Sequence, residues 1–300
     1  MKLATTTGDF LKHTKSGCES LKHIADAGFK FADYNFDFDF EHSVGVFGEN
    51  SEEYIRTLIK TAEEAGITFV QAHSPMGEPI TKDEKCEKFI SGTKKCIEVC
   101  AMLGIKNIVV HSGYEKGLSK EETFERNKEF YLDILKVAEK YDVNILTENF
   151  NKICVDGYYW IDNVFDMKEL IEYVNHPLLG ACFDTGHANL QKESMREQIS
   201  VLSDYIKAIH VHDNMGDGDT HRPLWCGTLD IDSLMEGLID INYGGYFTFE
   251  SGCIFPDVPE RREMKDRKLS LLPLFVRVES EKLLYKMGEH ILKEYGMYEE

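Results

Sequence analysis

Eight short apolar runs, rich in β-branched and aromatic residues, alternate along this sequence with longer segments of helical periodicity. The runs, which we predict to be strands, are Leu3–Thr7, Phe29–Asn35, Ile67–His73, Asn107–His111, Val143–Asn149, Leu179–Asp184, Ile206–His212 and Tyr246–Ser251. The predicted helical segments include Ser51–Ala65, Lys82–Leu103, Lys120–Tyr141, Asp162–Val174, Ser194–Ser203, Ile231–Ile239 and a charged amphipathic stretch from about Arg261 to Lys293. Eight strands, each followed by a helix, predict an α/β fold of the closed parallel (β/α)8 TIM barrel type.

The chain length agrees with a single barrel. Its 300 residues exceed an ordinary domain but suit a (β/α)8 barrel, which takes about 250 residues. No Pro/Gly/Ser-rich linker or sequence repeat divides the chain, so we predict one domain over residues 1–300. A doubly wound open sheet is the structural alternative, although no GxGxxG motif follows the first predicted strand.

Charge and cysteine usage narrow the partners and the location of the protein. The formal net charge of −19 repels phosphate backbones, so nucleic acid is a disfavoured partner unless a local basic patch overrides the average. The eight cysteines form no CxxC pair, which is typical of reduced thiols in a cytosol. Because we find neither a signal peptide nor an apolar run long enough for a membrane span, we predict a cytoplasmic protein.

The last residues of the predicted strands carry the chemistry, because the active site of such a barrel lies at the carboxyl ends of its strands. Six consecutive strands end in side chains that bind divalent metals, namely His73, His111, Glu148, Asp184, His210 and Glu250. Buried carboxylates that converge on one cavity require either a cation or strongly shifted pKa values. The sequence therefore predicts a metal site at this rim.

Each of these residues also has a structural explanation. His73 or His111 could be a hydrogen-bonded structural histidine. Glu148 could pair with a lysine from a neighbouring loop, and Asp184 could cap the helix that follows it.

The seventh predicted strand offers two histidines on one face, His210 and His212. We favour His210 as the ligand because it opens a His-x-x-Asp pattern with Asp213. His212 would then support the site from behind, or replace His210 as the ligand.

Four motifs carry a family resemblance that spans nearly the whole chain. They are FDTGH (Phe183–His187), IHVHDN (Ile209–Asn214), DTHRPLWCGTLD (Asp219–Asp230) and FTFES (Phe247–Ser251). The sequence resembles the xylose isomerase-like TIM barrel superfamily, which includes sugar phosphate isomerases and epimerases as well as the metal-dependent apurinic endonucleases of family 2. The resemblance implies that His187 lies beside the substrate and that Arg222 holds a substrate hydroxyl or phosphate. It also implies one divalent ion bound by Glu148, Asp184, His210 and Glu250.

The endonuclease branch of this superfamily binds additional metals, and the sequence has a candidate ligand at each corresponding position. These candidates are His73, His111, His187, Asp219 and His221. Sugar-isomerase relatives keep several of these residues for substrate binding. The five residues are therefore predicted to bind either additional metal ions or the substrate.

Trp225 departs from the family pattern. After the Asp-x-His pair the usual segment carries two glycines, whereas Trp225-Cys226-Gly227 keeps only the second. A tryptophan here would either stack against a small sugar substrate or pack on a neighbouring helix.

The resemblance implies a metal-dependent isomerase or epimerase that acts on a sugar or sugar phosphate. Glu148 and Glu250 would serve as base and acid on the two faces of the substrate carbon, through an enediolate that the metal stabilises as a Lewis acid. Mn and Mg suit the carboxylate-rich ligand set, Zn and Co are compatible with it, and up to three zinc ions would bind if the extra histidines are ligands. We expect a small-molecule sugar as partner and a homodimer through the exposed helices.

The main alternative is a metal-dependent phosphodiesterase of the apurinic endonuclease type, with a multi-zinc site that activates water. That function needs a basic rim. Glu78, Glu115, Asp217 and Asp219 instead lie in the same predicted loops as the few lysines and arginines. A carbohydrate dehydratase or lyase on the same scaffold and a non-catalytic binding protein are the remaining alternatives.

Overall fold

Eight parallel strands close into a barrel in their sequence order in this computed structural model, which describes residues 1–151, 159–252, 254–255 and 272–300. The strands are β1 Lys2–Thr6, β2 Phe31–Asn35, β3 Thr68–His73, β4 Asn107–Val109, β5 Asn144–Glu148, β6 Leu179–Asp184, β7 Ile206–Val211 and β8 Tyr246–Phe249. Parallel pairing of β8 with β1, with Leu3 opposite Phe247, closes the sheet. The predicted TIM barrel is thus confirmed, and the open-sheet alternative is wrong.

Helices alternate with these strands and cover the outside of the barrel. They are α1 Gly8–Thr14, α2 Gly17–Ala27, α3 Asp37–His42, α4 Ser51–Ala65, α5 Glu84–Met102, α6 Lys120–Tyr141, α7 Val164–Val174, α8 Thr185–Ala188, α9 Met195–Leu202, α10 Ile231–Asp240 and α11 Leu274–Glu294. The predicted bounds of α4 and α6 are confirmed. The first part of the predicted terminal stretch, residues 261–271, lies outside the described residues.

The bounds of α6 follow from local chemistry. Ser119 accepts a hydrogen bond from the Glu122 backbone N–H, and the Glu122 side chain accepts one from the Ser119 backbone. This reciprocal capping box satisfies two N–H groups that a helix terminus otherwise leaves without partners. The same arrangement joins Ser194 and Glu197 at the start of α9.

Five strands end earlier than the sequence predicts, β1, β5 and β7 by one residue and β4 and β8 by two. β4 ends at Val109 and β8 at Phe249, so His111 and Glu250 follow their strands instead of ending them. Single backbone hydrogen bonds still hold these segments to the barrel, since the Glu250 N–H donates to Val211 O at 3.2 Å. Both side chains therefore remain at the rim.

The alternation of side chains along the strands positions the polar rim. Val109, Leu146, Cys182 and Ala208, one from each of β4 to β7, form a small buried cluster separate from the main core. Because side chains two residues apart in a strand share a face, the residues two positions after the last three of these face the same interior. They are Glu148, Asp184 and His210.

The sequence also predicted reduced thiols and no membrane span. The six cysteines within the described ranges are free, whereas Cys154 and Cys253 lie outside those ranges. None of the helices in the described part of the chain is both long and apolar enough to cross a membrane.

Candidate metal centre

Four potential ligands meet at the carboxyl ends of β5 to β8, and we call Glu148, Asp184, His210 and Glu250 the central group. Each offers a ligand atom, and these atoms all lie within 4.8 Å of one another. His210 Nδ1 is 2.7 Å from Glu148 Oε1 and 3.3 Å from Glu250 Oε2. The structure therefore brings together the four residues predicted to hold one divalent ion.

The charge of the central group makes it suitable for a cation. Burial disfavours the charged form of Glu148, but the charge of His210 and hydrogen bonds with His111 and His210 hold its pKa well below the usual range. Burial likewise opposes the charge of Asp184, whereas the charges of His187 and His212 lower its pKa. Buried carboxylates held in their anionic form need positive charge nearby, and this donor set fits a divalent cation.

The first histidine group, His73, His111 and Glu148, lies on one side of the central group. His111 Nε2 is 2.5 Å from Glu148 Oε2, and the Nε2 atoms of His73 and His111 are 3.2 Å apart. His73 Nδ1 lies 2.7 Å from Ser74 O, which orients the ring so that its other nitrogen faces the group. Glu148 thus uses one oxygen toward each group.

The pKa values of His73 and His111 shift in opposite directions. Burial lowers the pKa of His73, but the hydrogen bond with Glu148 and the charge of Glu250 raise it to about 9. For His111 burial outweighs the contribution of Glu148, and its pKa is lowered. One protonated and one neutral imidazole can therefore share the Glu148 carboxylate when no cation is bound.

The second histidine group, on the other side, consists of His187, His212, Asp219 and His221. His187 Nε2 lies 3.1 Å from Asp219 Oδ2, and His221 Nε2 lies 3.3 Å from Asp219 Oδ1. The rings of His212 and His221 stack with their centroids 3.9 Å apart. His187 Nδ1 donates a hydrogen bond to Asn149 O at 2.9 Å, which fixes the ring that faces Asp219.

Two buried atoms of the second histidine group, His212 Nδ1 and Asp219 Oδ1, make no hydrogen bond within the described part of the chain, although Asp219 Oδ1 lies 3.3 Å from His221 Nε2. Buried polar atoms without partners cost free energy, and a cation would satisfy both. His212 Nε2 also lies 3.0 Å from Asp184 Oδ2, so the second group adjoins the central one. His210, the ligand that the sequence favoured, belongs to the central group, whereas the alternative His212 belongs to the second histidine group.

Asp184 combines a helix-capping contact with a position in the central group. Its Oδ1 accepts a hydrogen bond from the His187 backbone N–H at 2.7 Å and caps α8, so the capping interpretation is confirmed. Its Oδ2 faces His212, which leaves the carboxylate in the central group. Among the described residues Glu148 pairs with His73, His111 and His210, so the predicted alternative of a lysine partner is wrong.

The structure places Arg222 and Trp225 in the loop after β7. Arg222 Nη1 donates to Cys226 O at 3.2 Å. The Trp225 side chain is 56 % exposed and lines an outer groove with His290 and Tyr295. The geometry thus brings Trp225 next to α11, and a substrate contact for either residue stays a prediction.

Several residues around the site were missed by sequence reasoning. Asp33 lies buried in β2 with Oδ2 3.3 Å from His210 Nε2. Cys182 also reaches Glu148 and His210, but burial raises the pKa of its thiol, which disfavours the thiolate that binds metals. An acidic residue inside the predicted strand Phe29–Asn35 was the available signal for Asp33.

An aromatic wall borders the histidines and was likewise not predicted. The Phe150 ring centroid lies 4.9 Å from that of His111 and 4.8 Å from that of His187. Trp160 stacks on Phe150 at 4.1 Å and donates from Nε1 to Ser112 O. The wall therefore shields one side of both histidine groups from water.

Comparisons with known sequences identify partial and nearly full-length relatives. An uncharacterized protein of Methanocaldococcus jannaschii, MJ1311, is 26% identical over 247 residues, which cover 79% of this chain and 82% of the relative. A probable endonuclease 4 of Thermotoga petrophila is 25% identical over 44% of this chain and 49% of its own length. A ketose 3-epimerase of Arthrobacter globiformis is 24% identical over 58% of this chain and 52% of its own length.

Solved structures and a family model agree on the fold. The crystal structure of a D-tagatose 3-epimerase-like protein superposes with a TM-score of 0.74 and 21% identity, covering 98% of this chain and 99% of the other. The family model described as xylose isomerase-like TIM barrel matches residues 21–266. Since this match spans most of the sequence, the chain belongs to the xylose isomerase-like TIM barrel family.

Proposed function

We propose that this protein is a metal-dependent isomerase or epimerase of a sugar or sugar phosphate. The observation that carries the proposal is the central group, in which Glu148 and Glu250 approach the same His210 nitrogen from different strands. The similarity to the ketose 3-epimerase and to the epimerase-like structure supports a sugar substrate. A bound divalent ion would supply Lewis acidity that stabilises negative charge developing on substrate oxygens.

The two glutamates differ in access to the cavity, which suits an acid–base pair. Glu148 is 1% exposed and is held in its anionic form, whereas the Glu250 side chain is 20% exposed. One carboxylate takes the proton from the carbon next to the substrate carbonyl, which leaves an enediolate. The other returns a proton to the opposite face, or to the neighbouring carbon, and restores the carbonyl.

Exchange of the substrate α-proton with solvent tests this assignment. Ketoses with and without phosphate are incubated in deuterated water with the metal-loaded protein, and deuterium incorporation is measured by NMR. We expect Glu148→Gln and Glu250→Gln to abolish incorporation, because an amide does not accept the proton. Asp39→Asn, which changes a buried carboxyl in α3 outside the three groups, serves as the matched control. Unchanged exchange in both glutamine variants would overturn the assignment.

A second candidate is a phosphodiesterase of the apurinic endonuclease type. The two histidine groups that adjoin the central group favour it, because they would allow several ions to share Glu148 and Asp184 as neighbours. The formal charge of −19 opposes binding of a nucleic acid. At the rim, Arg126 pairs with Glu115, which reduces the positive charge available to phosphates.

Metal content separates the two candidates. The metal content of protein purified without added metal is measured by inductively coupled plasma mass spectrometry. The same protein is assayed for cleavage of an oligonucleotide that contains an abasic site. Three zinc ions per chain together with strand cleavage would favour the phosphodiesterase. A single exchangeable ion with proton exchange and no cleavage is the result that we expect.

A further inference from the structure

His210 lies between two acidic environments in the barrel interior. Its Nδ1 faces the central group, 2.7 Å from Glu148 Oε1 and 3.3 Å from Glu250 Oε2. Its Nε2 faces the opposite way, toward Asp33 Oδ2 at 3.3 Å. Since Nδ1 is the nitrogen that faces the other ligands, it must be free of its proton to bind a cation.

Asp33 is built into the barrel by two further side chains. Gln71 Nε2 donates to Asp33 Oδ2 at 2.8 Å, and the Thr248 hydroxyl donates to Gln71 Oε1 at 3.0 Å. Strand register explains the arrangement, because Asp33 lies opposite Gln71 and His210 lies opposite Thr248. Side-chain contacts therefore connect Thr248, Gln71, Asp33 and His210 in that order across β8, β3, β2 and β7.

Asp33 is a buried carboxylate that needs compensating hydrogen-bond donors or positive charge. The residue is 1% exposed, and its Oδ1 has no hydrogen-bond partner among the residues that the structure describes. An isolated buried carboxylate is costly unless donors and positive charge compensate it. Asp33 Oδ2 accepts a hydrogen bond from the Gln71 amide and lies 3.3 Å from His210 Nε2, which would be its second donor if that nitrogen carries the proton.

We propose that Asp33 is a positioning residue that holds His210 in the Nε2–H tautomer and thereby presents Nδ1 to the cation of the central group. A carboxylate that accepts the second ring proton of a metal-binding histidine fixes the orientation of the ring and raises the basicity of the ligand nitrogen. Gln71 and Thr248 act one step further away, by fixing the oxygen that His210 contacts. The inference rests on the proposed metal centre.

Zinc binding by Asp33 variants tests the inference. The central group is identified as the zinc site that a Glu250→Ala variant loses, since Glu250 belongs to neither histidine group. We expect Asp33→Ala to weaken zinc binding at that site by about 10- to 100-fold in calorimetry. Asp33→Asn keeps the shape of the side chain and one acceptor, and we expect a smaller loss in a variant that folds like the wild type.

Two controls distinguish positioning from a general loss of buried charge. Asp39 is also a buried aspartate, and it binds Tyr34 and Val46 outside the central group. Asp39→Asn should bind zinc as the wild type does. In zinc-loaded protein, ¹⁵N NMR should show a protonated Nε2 on His210, with a signal that shifts in both Asp33 variants.

The possible failures have different meanings. If the wild-type chain binds no zinc at the central group, the proposed metal centre fails and this inference fails with it. If the wild type binds zinc and both Asp33 variants bind it equally well with an unchanged His210 signal, only the role of Asp33 is refuted. An equal loss in Asp39→Asn would refute it too.

Discussion

Replacement of Gly186 by alanine should disrupt the second histidine group selectively. Gly186 lies in α8, and a Cβ added there would sit 1.9 Å from His212 Cε1 and 2.1 Å from His212 Nδ1. The His212 ring cannot easily move aside, because it is fully buried, stacks on His221 and contacts Asp184. The glycine of the FDTGH motif is therefore required by the approach of this ring.

Two opposed effects determine how much Gly186→Ala changes the free energy of unfolding. Forcing a methyl group into a packed interior costs about 1–3 kcal/mol, and three ring atoms closer than 3.0 Å place this site at the upper end. Alanine recovers up to about 1 kcal/mol through its higher helix propensity. The net loss is about 2 kcal/mol, which lowers the melting temperature by about 4 °C for a protein of this size.

Calorimetric melting of the metal-free protein measures the loss of stability. Zinc titration of the folded protein measures the loss of binding at the second histidine group. Gly244→Ala is the matched control, since an added Cβ there meets nothing within 4 Å. We expect Gly186→Ala to lose zinc binding at the second histidine group while the central group still binds. A variant that melts with the wild type and binds the same amount of zinc would refute the steric argument.

Three further outcomes are expected. Burial raises the pKa of Asp39 above its usual value, and hydrogen bonds from Val46 and Tyr34 offset only part of this rise. A folded-state pKa above the unfolded value gives stability at low pH that is lost as pH rises through the folded value. Asp39→Asn, whose carbonyl can accept both bonds, should thus melt with the wild type near pH 4 and above it near pH 7. Ser119→Ala removes the capping box of α6 and should cost about 1 kcal/mol in urea unfolding; an unchanged midpoint would contradict this. Chelation should lower the melting temperature, and ion at about 100 times its dissociation constant should restore about 2.7 kcal/mol.

Sequence patterns predicted the rim residues because strand periodicity alone determines them. Glu148 and Asp184 end apolar runs, and the carboxyl ends of parallel strands meet at one rim. The partners of Asp33 could not be predicted in the same way. Gln71 and Thr248 are 177 residues apart in sequence, and their contact depends on the register across the closed barrel.

Side-chain direction in loops was also beyond the sequence. Trp225 adopts a positive φ of 63°, which few residues other than glycine favour, and its side chain consequently points to the groove beside α11. The helices α1 and α2, between the first two strands, and α3, after the second, were not among the segments named from the sequence. With seven and six residues, α1 and α3 are too short to show a clear helical period. Contacts made after folding, such as Gly17 against Tyr34 and Tyr54, determine their packing.

The two oxygens of Glu148 link the number of bound ions to the reaction. Oε1 faces the central group, and Oε2 lies 2.5 Å from His111 Nε2 in the first histidine group. A carboxylate that bridges two cations has both oxygens engaged and loses basicity, so it is a poor proton acceptor. We therefore expect excess zinc, added until the first histidine group fills, to lower the rate of α-proton exchange. His111→Gln, which removes a ligand of that group, should make exchange insensitive to excess zinc. Inhibition that persists unchanged in His111→Gln would mean that Glu148 does not connect the two groups in this way.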